Sequence, residues 1–164
     1  MAKPRVLVVR APGTNCDQET AFAFEQAGAT AEVAHINRLL SERSMIDEFQ
    51  VLCIPGGFSY GDDLAAGRIL GNQIRHHLSD LLFQFRDAGK LILGICNGFQ
   101  VLMRSGLFLT DEDGTNSLAT LTLNDSGKYE DRWVRLSVDG DKCVFFRDVE
   151  SLYLPVAHAE GKFV

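Results

Sequence analysis

The stretch 91-LILGICNGFQ-100 decides the fold of this chain. Leu91, Ile92, Leu93 and Ile95 are large and aliphatic, and a continuous apolar run of this kind reads as a strand buried on both faces. Gly98 to Met103 then follow a helical pattern, which Ser105-Gly106 stops. Cys96 therefore stands at a strand-to-helix corner, with Gly94 two places before it and Gly98 two places after it. This is the cysteine form of the nucleophile elbow, G-x-S-x-G.

Each part of that corner has a physical reason. So tight a turn strains the backbone of the nucleophile, and neighbours carrying a Cβ would clash, so glycine flanks it on both sides. The corner lifts the sulfur above the sheet. The adjoining helix N-terminus favours negative charge and hence the thiolate. Its first backbone N–H groups are free to bind an oxyanion. The same spacing also fits a buried structural cysteine beside helix-packing glycines, and the motif alone does not separate the two.

Composition narrows the field. A chain of 164 residues, 46% hydrophobic, suits one domain with a substantial core. A net charge of −6 without any basic run argues against nucleic acid as a partner. No apolar stretch is long enough to span a bilayer, and Met1-Ala2-Lys3-Pro4 leads into a strand without a signal-peptide pattern. Cys16, Cys53, Cys96 and Cys143 are irregularly spaced with no C-x-x-C or Cys/His ligand pattern. That argues against a structural zinc site and fits free thiols in a reducing, cytoplasmic setting.

Outward from the elbow, the chain alternates strands and helices. RVLVVR at Arg5–Arg10 is a first strand, followed by a turn at Ala11–Thr14. Asn15 reads as a helix N-cap with Gln18 three places on, and Ala21, Phe24 and Ala27 form the stripe that ends at Gly28. Thr30–Ile36 is a second strand with His35 solvated at its end, and 37–50 is a polar linker with a helical turn at Leu39–Arg43. VLCI at Val51–Ile54 is a buried third strand with Cys53 as core filler. The loop 55-PGGFSYGDDLAAG-67 follows at the strand edge where open α/β sheets place ligands, and Gly56 and Gly57 allow close backbone approach. It is neither a P-loop nor G-x-G-x-x-G. Ile69–Ala88 is the longest expected helix, with Ile74, Leu78, Leu81, Leu82 and Phe85 inward, His76 and His77 on its flank and Gly89 as its stop.

After Gly106 the pattern changes. Asp111–Asn116 is a polar turn, and Leu118–Leu123 and Arg132–Val138 alternate as half-exposed strands of an antiparallel ribbon, with Trp133 at core or rim. Cys143–Phe146 is a short packed patch, and Leu152–Ala157 a further strand. The expected class is α/β: an open, mostly parallel sheet with helices on both faces, and an antiparallel ribbon in the C-terminal third. A thiolate nucleophile needs a base oriented by a third group. His158 and Glu160 form the only His-x-Glu in the chain, and two-residue spacing on a strand would put both on one face. They are either base and orienter or a loop element beside the site.

Three ordered motifs carry a resemblance: PGTNCD at Pro12–Asp17, PGGFSYGD at Pro55–Asp62 and GICNGFQ at Gly94–Gln100. Together they resemble the class I, triad-type glutamine amidotransferases, a flavodoxin-like family. Asn97 after the cysteine, and Phe58 to Asp62 after Gly57, narrow the resemblance to the amidotransferase subunit of phosphoribosylformylglycinamidine synthase. It runs from the first strand to Val164. The resemblance implies Cys96 as nucleophile on the glutamine carboxamide. It implies oxyanion donors at the backbone N–H groups of Gly57 and Asn97, and a substrate loop with Gly56, Phe58 and Gln100. Glutamine would give a γ-glutamyl thioester and ammonia. The ammonia would serve a synthetase subunit, which with a small accessory subunit would be the partner. ATP and Mg belong to that synthetase, and no cofactor or metal is expected in this chain. The family's C-terminal Pro-His-Pro-Glu-Arg-like motif is missing, whereas His158–Gly161 resembles its upstream His-Gly-Glu-Gly-like stretch. The expectation is one amidotransferase domain over residues 1–164 that lacks a C-terminal segment. Two other readings remain: a cysteine hydrolase or thiol-stress protein on the same scaffold, and a non-catalytic partner of a synthetase.

Overall fold

A computed structural model describes residues 2–108, 118–141 and 143–164. The expected turn at Asp111–Asn116 lies outside them. The chain divides into two compact units, one reaching to Thr120 and one from Leu121 to Val164.

The first unit is built on a parallel four-stranded sheet in the order β2-β1-β3-β4. Its strands are β1 (Arg5–Arg10), β2 (Thr30–His35), β3 (Val51–Ile54) and β4 (Leu91–Gly94). Its helices are α1 (Asp17–Gln26), α2 (Ile36–Ser41), α3 (Arg68–His77), α4 (Ser79–Asp87) and α5 (Asn97–Ser105). Side chains alternate across a strand. Leu7, Val9, Leu52 and Ile54 enter the main core with Ile36, Leu39, Phe49, Leu70, Ile74, Leu82 and Leu102. Val6, Val8, Val51 and Cys53, of the opposite parity, are buried too. Both faces of the central strands are therefore covered, as the unbroken apolar runs require.

Several local expectations shift. Strand β4 is half-buried rather than sealed on both faces, because among the described residues it pairs only with β3 and forms an edge. The N-cap of α1 is Cys16 and not Asn15, with no side-chain cap, because the Asn15 segment is engaged elsewhere through the Thr14–Gly57 bridge. Of the α1 stripe only Ala21 is fully buried; Phe24 is half-buried and Ala27 exposed. The linker after β2 holds α2, capped by His35 Nδ1 accepting the Asn37 N–H at 3.2 Å, and a 3-10 stretch at Arg43–Glu48.

The long helix expected at Ile69–Ala88 is two helices. Leu78 takes φ −130° and ψ 0° between them. The Asp80 carboxylate accepts the Leu81 backbone N–H and faces Arg43, which together hold it below the usual carboxylate range. A helix-start signal at Ser79-Asp80 thus lies inside a continuous apolar stripe, and Leu78 and Leu82 stay buried across the break.

The second unit is antiparallel, with pairings different from those expected. Strand β6 (Glu130–Ser137) pairs along its length with β7 (Ser151–His158), and β5 (Leu121–Thr122) pairs with β8 (Lys162–Phe163). Trp133 is 59% exposed and packs on Tyr153 with ring centroids 5.0 Å apart. The patch at Cys143–Phe146 contains a 3-10 turn with Val144 and Phe146 exposed, not a packed core element. Among the described residues no helix is long and apolar enough to cross a membrane.

Helix α5 reaches the end of β3 through Gly98. A Cβ there would sit 1.8 Å from the Ile54 carbonyl oxygen. Gly98→Ala should therefore cost about 3 kcal/mol or more, at the upper end of overpacking losses. Gly28→Ala meets nothing within 4 Å and carries only the left-handed backbone penalty at φ +93°, about 1–2 kcal/mol. Urea midpoints of the two variants give the comparison, and equal losses would contradict the close approach.

Candidate active site

The elbow forms as its residues demand. Cys96 has φ +54° and ψ −113°, far from the helical region that begins at Asn97. Strain of this kind persists only where neighbours over-determine it. The Ile95 N–H donates to the Ile54 carbonyl at 3.0 Å, and the Gly98 N–H donates back to the Ile95 carbonyl at 2.8 Å. A Cβ at Gly94 would lie 2.7 Å from the Gly98 carbonyl oxygen, so the two glycines close the corner on each other. Cys96 itself is exposed.

The loop after β3 is brought against this corner. A Cβ at Gly56 would stand 3.4 Å from the Cys96 Cβ. Gly57 takes φ +135°, where a Cβ would strike the Asn15 backbone nitrogen at 2.7 Å. The loop is also stitched to the turn after β1. The Phe58 N–H donates to the Gly13 carbonyl at 3.0 Å, and the Tyr60 N–H to the Pro12 carbonyl at 2.6 Å. The three motifs singled out in the sequence thus meet at one edge of the sheet. The backbone N–H groups of Gly57 and Asn97 make no hydrogen bond to another described residue, which leaves both available to a ligand oxygen.

The Asn97 side chain, which the sequence reading did not use, ties the loop to the elbow. It is 3% exposed. Its Oδ1 accepts the Ser59 N–H at 3.0 Å, and its Nδ2 donates to Asp62 Oδ1 at 3.0 Å and to Gln100 Oε1 at 3.1 Å. Asp62 Oδ1 also accepts the Gly67 N–H at 3.1 Å. These bonds hold Tyr60, Gly61 and Asp62 at positive φ, with the Tyr60 hydroxyl anchored on Gln73 at 2.8 Å. Ser59 is buried as well, and its hydroxyl finds no partner among the described residues. Phe58 is 56% exposed at the loop's outer side.

His158 and Glu160 belong to the second unit. Strand β7 ends at His158 and a bend follows, so strand spacing does not place Glu160 on the His158 face. Asn124 orients the imidazole instead. His158 Nδ1 lies 3.0 Å from Asn124 Oδ1, which also accepts the Gly161 N–H at 3.1 Å. Ser126 and Arg132 hold the Glu130 carboxyl below its usual range, and His158, its cross-strand neighbour, contributes less. Among the described residues no cluster of three His, Cys, Asp or Glu is placed to hold a metal ion. An open depression bordered by Ser137, Asp141, Phe146 and Glu150 includes none of the elbow residues.

A parallel α/β sheet thus carries an exposed cysteine at a strand-to-helix elbow, with a strained glycine loop locked beside it. The family model for the CobB/CobQ-like glutamine amidotransferase domain matches residues 3–164, and the chain belongs to that family. It is 49% identical to the phosphoribosylformylglycinamidine synthase subunit PurQ of Dehalococcoides mccartyi, covering 100% of this chain and 64% of that protein. It is 43% identical to the PurQ subunit of Methanococcus maripaludis, covering 98% of this chain and 59% of that one. The chain thus spans about three fifths of the length of these relatives. Among solved structures, PurLQS from Thermotoga maritima matches at TM-score 0.77 and 32% identity, over 99% of this chain and 70% of that one. A glutamine amidotransferase from the same organism, 15% identical with TM-score 0.57, covers 100% of this chain and 64% of its own and shares the fold.

Asn97→Ala should leave the buried Ser59 N–H without its partner and take one of two donors from Asp62 Oδ1, which keeps the Gly67 N–H. The expected loss is about 1–3 kcal/mol, the desolvation penalty of one buried group. Chemical denaturation measures it, and native-state exchange should show the Ser59 amide losing protection before the β1 amides do.

Proposed function

We propose that this chain is the glutamine-hydrolysing subunit of phosphoribosylformylglycinamidine synthase, in the purine pathway. The observation that carries the reading is the 49% identity to a PurQ subunit over the whole chain. The exposed Cys96 at the elbow supports it.

In this reading Cys96 Sγ attacks the glutamine side-chain carbonyl carbon. The developing oxyanion is met by the free N–H groups of Gly57 and Asn97, and collapse releases ammonia and leaves a γ-glutamyl thioester. Water then releases glutamate. Gly56 and Phe58 border the substrate, and Gln100 steadies the Asn97 amide. Within the second unit, Asn124 sets the His158 ring. The ammonia passes to a synthetase subunit that uses ATP and Mg to convert formylglycinamide ribonucleotide to the amidine. A small accessory subunit completes the complex, which is cytoplasmic.

Cys96→Ala, assayed with the synthetase, should abolish glutamine-dependent synthesis and spare synthesis from ammonium salts. Equal loss of both would make Cys96 structural. Gly57→Ala forces a side chain against the Asn15 backbone and disturbs one oxyanion donor, so glutamine turnover should fall about 10²–10³-fold. Near-normal turnover would remove that loop from the chemistry.

A further inference from the structure

A second cysteine reaches the elbow from the other side of Gly56. Cys16 follows β1, Gly56 follows β3 and Cys96 follows β4, and these strands are neighbours in that order. The side chain that Gly56 lacks would begin 3.4 Å from the Cys96 Cβ and 3.6 Å from Cys16 Sγ. A single methyl group on Gly56 would therefore touch the Cys96 Cβ and the Cys16 Sγ at once. Cys16 is held there by the interlock of the Pro12–Gly13 turn with the 57–60 loop and, as the N-cap of α1, by its carbonyl accepting the Thr20 N–H at 3.1 Å. Both cysteines are exposed, whereas Cys53 is buried in β3 and Cys143 lies in the second unit.

We propose that Cys16 and Cys96 are a reversible dithiol–disulfide pair, a modification site that a hydroperoxide closes across Gly56 and that masks the Cys96 sulfur. The Cys96 thiolate attacks the peroxide, the O–O bond breaks, hydroxide or an alkoxide leaves and takes a proton from water, and the sulfur becomes a sulfenic acid, two electrons more oxidised. The Cys16 sulfur then attacks the Cys96 sulfur. The S–S bond forms, the S–O bond breaks, and hydroxide departs as water with the Cys16 proton. A dithiol reductant returns two electrons and reopens the pair. Disulfide Cβ atoms sit about 3.8 Å apart, so the Cys16 turn moves inward and the two side chains rotate until the sulfurs meet where Gly56 has no side chain.

The roles of the two thiols are not symmetric. Cys96 stands at the tip of the elbow, open to solvent. Partial burial pushes the Cys16 thiol up, and Glu19, Cys96 and Asp17 push it further. Cys16 therefore ionises less readily than an ordinary thiol, which slows its own attack on peroxide, and it resolves the sulfenic acid as it gives up its proton. The bond forms whatever the substrate of Cys96; its consequence, loss of ammonia supply under peroxide, rests on the glutaminase reading above.

The test is peptide mapping of the whole chain after brief exposure to hydrogen peroxide. Trypsin separates the three relevant cysteines, with Cys16 in 11–38, Cys53 in 44–68 and Cys96 in 91–104. The expected product is an intrachain link between 11–38 and 91–104, reversed by dithiothreitol, with Cys53 unmodified. In Cys16→Ser, Cys96 should instead trap dimedone as sulfenic acid and pass on to sulfinic acid several-fold faster. Gly56→Ala places a methyl group in ordinary contact with both cysteines, without a clash that would unfold the protein. It should lower the yield of the link several-fold. A link from Cys96 to Cys53, to Cys143 or to a second chain would overturn the proposal. So would sulfinic acid forming at one rate with and without Cys16, or a Cys96 inert to peroxide. Reaction of the reduced protein with 6-diazo-5-oxonorleucine reports the glutaminase reading separately. A link formed without such capture supports the dithiol and overturns only the masking of glutamine chemistry.

Discussion

The contact between the Gly98 α-carbon and the Ile54 carbonyl is the constraint on which the first unit depends. It brings a helix start within backbone distance of a neighbouring strand, and no residue with a side chain can stand there. Once α5 is seated so low, the chain between β4 and α5 has only Ile95 and Cys96 in which to reverse, and Cys96 is driven to positive φ. The exposure of Cys96 is thus a result of packing elsewhere. The sulfur is raised because the helix is not.

The same economy governs the loop facing it. Three consecutive residues at positive φ, two of them not glycine, represent stored backbone strain of a few kcal/mol. The strain is offset by an anchor that is itself buried: the Asn97 amide bonds to the loop at one end and to Asp62 at the other. Because that amide belongs to the first residue of α5, loop and elbow share one rigid support. One buried amide thereby holds the elbow and the loop after β3 together.

Much of this was legible in the residues. The strands β1 and β3, the helix stop at Gly28 and the corner at Cys96 lie where local pattern puts them, because each depends on neighbours in sequence. What the pattern missed depends on partners far along the chain. The two-residue strand β5 finds β8 some forty residues away, and nothing in Leu121-Thr122 announces it. The break at Leu78 was hidden because the apolar stripe runs through it unbroken, although Ser79-Asp80 is a helix-start pair. Asn124 as the partner of His158, and Cys16 as the neighbour of Cys96, are tertiary facts. A Glu two residues from a His looked the better orienter only on the assumption that the strand continued.

The stacked pair of Trp133 and Tyr153 has a practical meaning for spectroscopy. Trp133 is the single tryptophan of the chain, and it lies exposed on the antiparallel ribbon of the second unit. Indole emission will therefore be that of a solvated fluorophore even in the folded protein, and it reports on the ribbon where the ring sits. The first unit has no tryptophan, and Tyr60 is its one tyrosine among the described residues. Circular dichroism, or a tryptophan engineered beside α3, would be needed to watch the half of the molecule that carries the thiol.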